Sequence, residues 1–218
     1  MSKNLDNLVI QTRRDILRMV HAVNSGHPGG SLGCVEFFVT LYNGIMDHGL
    51  DRNSKDMFIL SNGHISPVYY STLARAGYFE TKELKTFRKI NSRLQGHPTN
   101  HDNLPGVNIS SGSLGQGISV GIGVALSKKL NNDNSLVYVL TGDGELQEGQ
   151  NWEAFMFASA NKVDNIIVTI DVNGQQIDGS TEDVLDIGNL KLKLESFNWE
   201  VLEIENGNSL KDVHRTLT

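Results

Sequence analysis

Leu136-Val137-Tyr138-Val139-Leu140-Thr141 runs directly into Gly142-Asp143-Gly144-Glu145, and about thirty positions later an apolar run at 165–170 enters Asp171-Val172-Asn173-Gly174. Each is a short run rich in Val, Ile, Leu or Tyr closed by turn residues, which predicts a buried strand feeding a loop. Met57-Phe58-Ile59-Leu60, before Ser61-Asn62-Gly63-His64, reads the same way, and 199–204 is a further strand candidate. Between these runs the spacing of apolar residues predicts helices over 5–24, 33–46, 66–76, 81–89 (opened by Thr81 as N-cap), 152–161, 189–196 and 209–217. The glycine-rich stretch 112–123, continuing into Val124-Ala125-Leu126, predicts a helix that another backbone approaches closely. Strands alternating with helices imply parallel crossovers. The expected fold is α/β, a doubly wound, mostly parallel sheet flanked by helices. Ligands of such sheets collect at the carboxyl ends of the strands, where both opening motifs fall. No internal repeat, low-complexity tract or linker interrupts the chain, so a single domain over 1–218 is expected.

Composition narrows the class. A formal charge of −6 without a basic stripe argues against nucleic-acid binding. The lone cysteine, Cys34, reads as a small buried residue and fits a reducing compartment. No run reaches the roughly 20 apolar residues of a membrane span, and no apolar leader follows a basic segment. The expectation is a cytoplasmic protein that binds neither membrane nor nucleic acid.

The chemistry lies in the loops. Asp143 offers a carboxylate and Asn173 an amide oxygen, and a carbonyl in the 174–176 loop completes a set of oxygen donors. Such a set suits Mg²⁺ or Ca²⁺, which takes phosphate oxygens for its remaining positions. Gly142 and Gly144 let backbone amides approach a phosphate with no Cβ in the way. Taken alone, Gly-Asp-Gly or Asp-Val-Asn-Gly is simply a turn; their joint placement after successive strands favours a cation and diphosphate site. Three histidines each follow a glycine: His27 in Ser25-Gly26-His27-Pro28-Gly29, His64 in Leu60-Ser61-Asn62-Gly63-His64, and His97 in Gly96-His97-Pro98. A lone loop histidine is usually solvated, but a Gly-His-Pro unit restricts the backbone on both sides and aims the imidazole. So aimed, the rings can donate to hydroxyls or phosphate and move protons. His21, His48, His101 and His214 lack such settings and read as surface or packing residues. A diphosphate held by metal near several imidazoles suggests thiamine diphosphate.

These segments, with Gly112-Ser113-Leu114-Gly115-Gln116-Gly117, Gly142-Asp143-Gly144-Glu145-Leu146-Gln147-Glu148-Gly149 and Asn173-Gly174 followed by Ile177-Asp178-Gly179, stand in the order found in transketolases. From about residue 8 to 215 the chain resembles the N-terminal, diphosphate-binding domain of that family. The related 1-deoxyxylulose-5-phosphate synthases share the Gly-Asp-Gly pattern but are not expected to carry Leu-Ser-Asn-Gly-His followed by Gly-His-Pro. The resemblance implies roles. Asp143, Asn173 and the backbone carbonyl of Gln175 resemble the metal ligands. His64, Gly112, Ser113, Leu114, Gly142 and Gly144 resemble contacts to thiamine diphosphate. His27 and His97 resemble the catalytic residues that reach the ketose hydroxyls. Glu148 resembles the carboxylate that links active sites across a dimer interface; by itself it reads as a solvated charge favoured at a helix N-terminus.

The implied activity is transfer of a two-carbon ketol unit from a ketose, or ketose phosphate, to an aldose. Whole transketolases are about three times this length and use a second domain for the cofactor's pyrimidine. The resemblance therefore implies the N-terminal subunit of a split transketolase, completed by a C-terminal subunit carrying the pyrimidine-binding domain, in an α2β2 assembly. Family members also continue past the position of Thr218 into a strand and a loop with a further histidine. The alternatives are a non-catalytic cofactor-binding or regulatory subunit, and another thiamine-diphosphate reaction such as 1-deoxyketose synthesis.

Overall fold

A computed structural model describes residues 3–49 and 55–218. In chain order the elements are α1 (Lys3–Val23), α2 (Pro28–Gly33), α3 (Val35–Thr40), β1 (Met57–Leu60), α4 (Ser66–Arg75), α5 (Gly117–Leu130), β2 (Val137–Gly142), α6 (Gly149–Ala160), β3 (Ile166–Asp171), β4 (Gln175–Gln176), β5 (Gly179–Ser180), α7 (Thr181–Leu185), α8 (Leu190–Ser196) and α9 (Leu210–Leu217). The described residues form two compact units, one of 3–49, 63–112 and 203–218, the other of 55–62 and 113–202.

The first unit is helical. Along α1, Thr12, Asp15, Ile16 and Met19 are buried at helical spacing, the pattern of a helix with one face in a core. Asp15 is satisfied there by Ser71 Oγ at 2.9 Å and Arg75 Nε at 2.8 Å, both on α4. Arg13 makes a two-pronged pair with the buried Glu36 of α3, at 2.7 and 2.9 Å. Helix α4 is buried over nearly its whole length. Its Tyr70 donates to Gln95 O at 2.9 Å, tying the helix to the loop before His97.

The second unit contains a parallel three-stranded sheet in the order β1-β2-β3. Met57 pairs with Val137 and Val137 with Ile166. Phe58, Ile59, Leu60 and Val137 through Leu140 are all buried, as expected of strands covered on both faces. The β2–β3 register sets Gly142 opposite Asp171, so both opening motifs leave the same end of the sheet. Helix α5 packs on all three strands. A Cβ on its Gly121 would stand 2.6 Å from Val139 Cγ2, so the glycine is what allows that approach.

Several expectations are corrected. The helix expected over 33–46 is broken at Cys34 and ends in a π turn, Leu41–Ile45. The segment 81–89 forms only a 3₁₀ turn, Thr81–Thr86, with Glu80 and not Thr81 at the N-cap position and no side-chain capping bond. Phe87 is extended (ψ 128°) and Arg88 has φ +55°, so the helix cannot continue. The 112–123 stretch begins as a turn, because Gly112 and Gly115 have φ of +151° and +83°; the helix starts at Gly117. The strand expected over 199–204 is irregular: Glu200, Leu202 and Glu203 are exposed, and no neighbouring strand supplies a ladder among the described residues. The β4–β5 hairpin and α7 carry no apolar periodicity and escape sequence reading. Cys34 is buried, as expected.

Candidate active site

In the helical unit the local backbone presents two of the singled-out histidines side by side. Gly26 (φ +138°) turns the chain out of α1, and His27 stands immediately before Pro28 at the start of α2. His64 sits in a 3₁₀ turn, Gly63–Ile65, leading into α4. The two rings meet edge to face, with centroids 5.0 Å apart. Burial holds the His64 pKa down at about 4, helped by the positive charge that His27 and His97 would bring. His97 is more open; partial burial, then Arg88 and His27, lower its pKa as well. Both are therefore neutral near pH 7, with one ring nitrogen free to accept and the other to donate. Gly112 lies against the His97 ring, where a Cβ would come within 3.3 Å. His27 Nδ1 and Ser111 Oγ are buried without a hydrogen-bond partner, an unusual condition that a bound polar ligand would relieve.

Sequence reading missed Arg88 here. Its guanidinium donates to Ser25 Oγ at 3.2 Å and lies beneath Gly96, where a Cβ would be 2.5 Å from Cζ. It thus joins the loops that carry His27 and His97. The left-handed backbone of a residue placed in a predicted helix gave no sequence signal.

In the sheet unit the loops after β2 and β3 come together. Asp143 is 2 % exposed. One of its carboxylate oxygens accepts from Gly144 N at 2.8 Å and the other from Gly174 N at 2.7 Å. Burial raises its pKa; those two amides oppose the shift, and Asp171 adds to it. Asn173 is exposed, with its Nδ2 donating to Asp171 at 2.9 Å and its Oδ1 accepting from Gln175 N at 2.9 Å. Gly174 takes φ +70°, which folds the loop back over Asp143. The Gln175 carbonyl lies 3.8 Å from where a Gly144 Cβ would stand. Carboxylate, amide oxygen and carbonyl thus lie on the two loops that leave this end of the sheet, and all are hard donors. Asn62 Oδ1, buried at the end of β1, has no partner. The residues present fit a divalent cation with a phosphate ligand.

Ser113 is exposed and Leu114 half-buried in the turn before α5. Glu148 is the exposed N-cap of α6 and makes no capping bond with its side chain. Sequence reading also missed Glu145. It lies inside the motif it helps to hold, and nothing in the sequence distinguishes it from a solvated acid.

A parallel α/β unit with oxygen donors at the carboxyl ends of its strands marks a nucleotide- or cofactor-binding class of protein. The family described as "Transketolase, thiamine diphosphate binding domain" matches residues 5–218. The chain is 36 % identical over 209 residues to one of the subunits of the apulose-4-phosphate transketolase of Phocaeicola vulgatus, covering 94 % of this chain and 73 % of that one. It is 35 % identical over 200 residues to the 6-deoxy-6-sulfo-D-fructose transketolase subunit SqwG of Clostridium sp., covering 90 % and 72 %. Transketolase from Leishmania mexicana superposes with a TM-score of 0.91 at 30 % identity, over 100 % of this chain and 34 % of the other. The chain thus spans about three quarters of the subunits it matches and about a third of a whole transketolase. It belongs to the transketolase family of transferases, as the N-terminal, thiamine-diphosphate-binding part, of the kind found as a subunit in split transketolases.

Proposed function

We propose that this chain is the N-terminal subunit of a thiamine-diphosphate-dependent transketolase that moves a two-carbon ketol unit from a ketose or ketose phosphate to an aldose, and that residues 1–218 serve as one diphosphate-binding domain. The observation that carries the proposal is the buried Asp143 carboxylate, clasped by two loop amides beside Asn173 and the Gln175 carbonyl. Asp143, Asn173 and Gln175 O would hold Mg²⁺ or Ca²⁺, and the backbone of Gly142 and Gly144 would contact the diphosphate. When bound, the cofactor supplies a nucleophilic carbon and an electron sink for the two-carbon unit.

The histidines do the rest of this chain's chemistry. His97 would accept and return a proton at a substrate hydroxyl and His27 would grip another; the lowered pKa of His97 and the unpaired Nδ1 of His27 support this reading. Neutral His64 donates a hydrogen bond without adding charge, the role assigned to it at the cofactor. Gly112, Ser113 and Leu114 form a turn assigned to the cofactor's body, and Glu148 is assigned to communication between active sites. The pyrimidine-binding domain comes from a separate C-terminal subunit, and the working assembly is a cytoplasmic α2β2 heterotetramer.

The test is calorimetric titration of thiamine diphosphate with Mg²⁺ into the chain, followed by ketol transfer in the complex with its companion subunit. Asp143→Ala should abolish metal-dependent binding and reduce transfer by at least about 100-fold, the range for losing a charged group's polar contacts in a water-excluded site. Full activity in that variant would remove the metal assignment.

A further inference from the structure

Glu145 has no role in the function proposed for this chain, yet it is one of the most heavily engaged groups in the sheet unit. It is 2 % exposed and carries a carboxylate, which is costly unless every oxygen is satisfied. Here both are. One oxygen accepts from Ser61 Oγ at 2.5 Å and from Gly115 N at 2.8 Å. The other accepts from Thr141 Oγ1 at 2.7 Å and Gly142 N at 3.3 Å. Ser61 relays the contact, since its Oγ accepts from Gly117 N, the first amide of α5, at 3.0 Å. The backbone that bears the side chain is held from α6: Asn151 Nδ2 donates to Glu145 O at 2.7 Å and Trp152 Nε1 to Leu146 O at 2.9 Å.

The donors come from three separate segments: the end of β1, the turn before α5, and the β2 end that bears Asp143. No backbone ladder joins that turn to the Asp143 loop. Gly115 can aim its amide inward only because its φ is +83°, and a Cβ there would meet Glu148 Cβ at 2.9 Å. The N-cap of α5, Gln116, gives no side-chain cap. Ser61 Oγ, itself held by the Glu145 carboxylate, takes the Gly117 amide and so satisfies the first donor of the helix.

We propose that Glu145 is a positioning residue, whose single buried carboxylate fixes the Leu114-Gly115 turn and the start of α5 against the loop that bears Asp143. The two segments assigned to the cofactor then keep their spacing before it arrives. The link to the cofactor rests on the proposed function; the mechanical link rests on the hydrogen bonds alone.

Hydrogen exchange followed by mass spectrometry separates the two. Peptides covering 113–118 are compared with peptides in the β2 core for the wild-type chain and for Glu145→Ala, Glu145→Gln and Ser61→Ala. Loss of a hydrogen bond to a charged acceptor should speed exchange at 115–117 by about 10- to 100-fold in Glu145→Ala, with β2 unchanged. Glu145→Gln keeps one oxygen for Gly115 and should recover most of the protection. Ser61→Ala should free Gly117 more than Gly115. Titration of thiamine diphosphate with Mg²⁺ should show affinity falling at least about tenfold in Glu145→Ala and much less in Glu145→Gln.

Unchanged exchange at 115–117, or acceleration spread evenly over the chain in the Gln and Ser61 variants, would overturn the proposal. If Glu145→Ala does not fold, those two variants decide the matter. A wild-type chain that binds no thiamine diphosphate, yet shows the predicted exchange pattern, would end the cofactor reading and leave the positioning role standing.

Discussion

His64 carries an imidazole whose pKa is pressed down to about 4 against an ordinary value of 6.5. In the unfolded chain it would titrate normally. Between pH 6.5 and 4 the unfolded state therefore binds more protons than the folded one, and stability drops as pH falls through that window. His97 adds to the slope in the same direction, and His27 and Arg88 supply the neighbouring positive charge. His64→Gln removes the largest contributor. Its melting temperature relative to wild type should rise steadily as the buffer is taken from pH 7 to 5. A difference constant with pH would mean that the ring is not buried as described. Burial acts on Asp143 in the same sense, toward the neutral form, and raises its pKa.

Among the elements, legibility followed the origin of each signal. The strands β1 and β2 stand out as continuous apolar runs, since a parallel strand buried on both faces has no polar positions to blur it, and β3 shows as a run of Ile and Val although it is less covered. The loops after β2 and β3, with Asp143 and Asn173, were legible because the strands were. Features set by tertiary contact were not. Arg88 at φ +55° ends a segment with helical spacing, and the 199–204 run lacks a partner strand. Glu145 and Arg88 are important through what other segments bring to them, and one sequence does not record those meetings. Glycines expose the same difference. Gly63, at the head of the turn into α4, leaves room for the Ser111 backbone: a Cβ would be 2.6 Å from Ser111 Oγ and 2.9 Å from its carbonyl carbon. Ser111 N is in turn bonded to Pro98 O at 3.0 Å and cannot easily retreat. Gly63→Ala should cost about 1–3 kcal/mol. Gly123, inside α5 with nothing within 4 Å, should gain about 0.5–1 kcal/mol from the same change. Urea unfolding midpoints that move in the same direction for both would contradict the packing described at Gly63.

For the molecule as a whole, the decisive fact is proportion. A chain of 24.0 kDa covers 73 % of a split-transketolase subunit but only 34 % of an undivided transketolase. On the function proposed above, Asp143 and the histidines bind and orient the cofactor and substrate, and the groups that act on the cofactor's other ring come from the companion subunit. The chain by itself should therefore bind thiamine diphosphate with Mg²⁺ and show no ketol transfer. A companion of roughly 30–35 kDa, about two domains' worth, should restore it. Two copies of each would give a particle of about 110–120 kDa by sedimentation, on the same domain-size scale. Activity should then rise with companion concentration and saturate at equal stoichiometry, because each site would need one of each chain. Ketol transfer by the purified chain alone would exclude the divided site, and a stoichiometric companion that restores no transfer would assign this chain a binding role without catalysis.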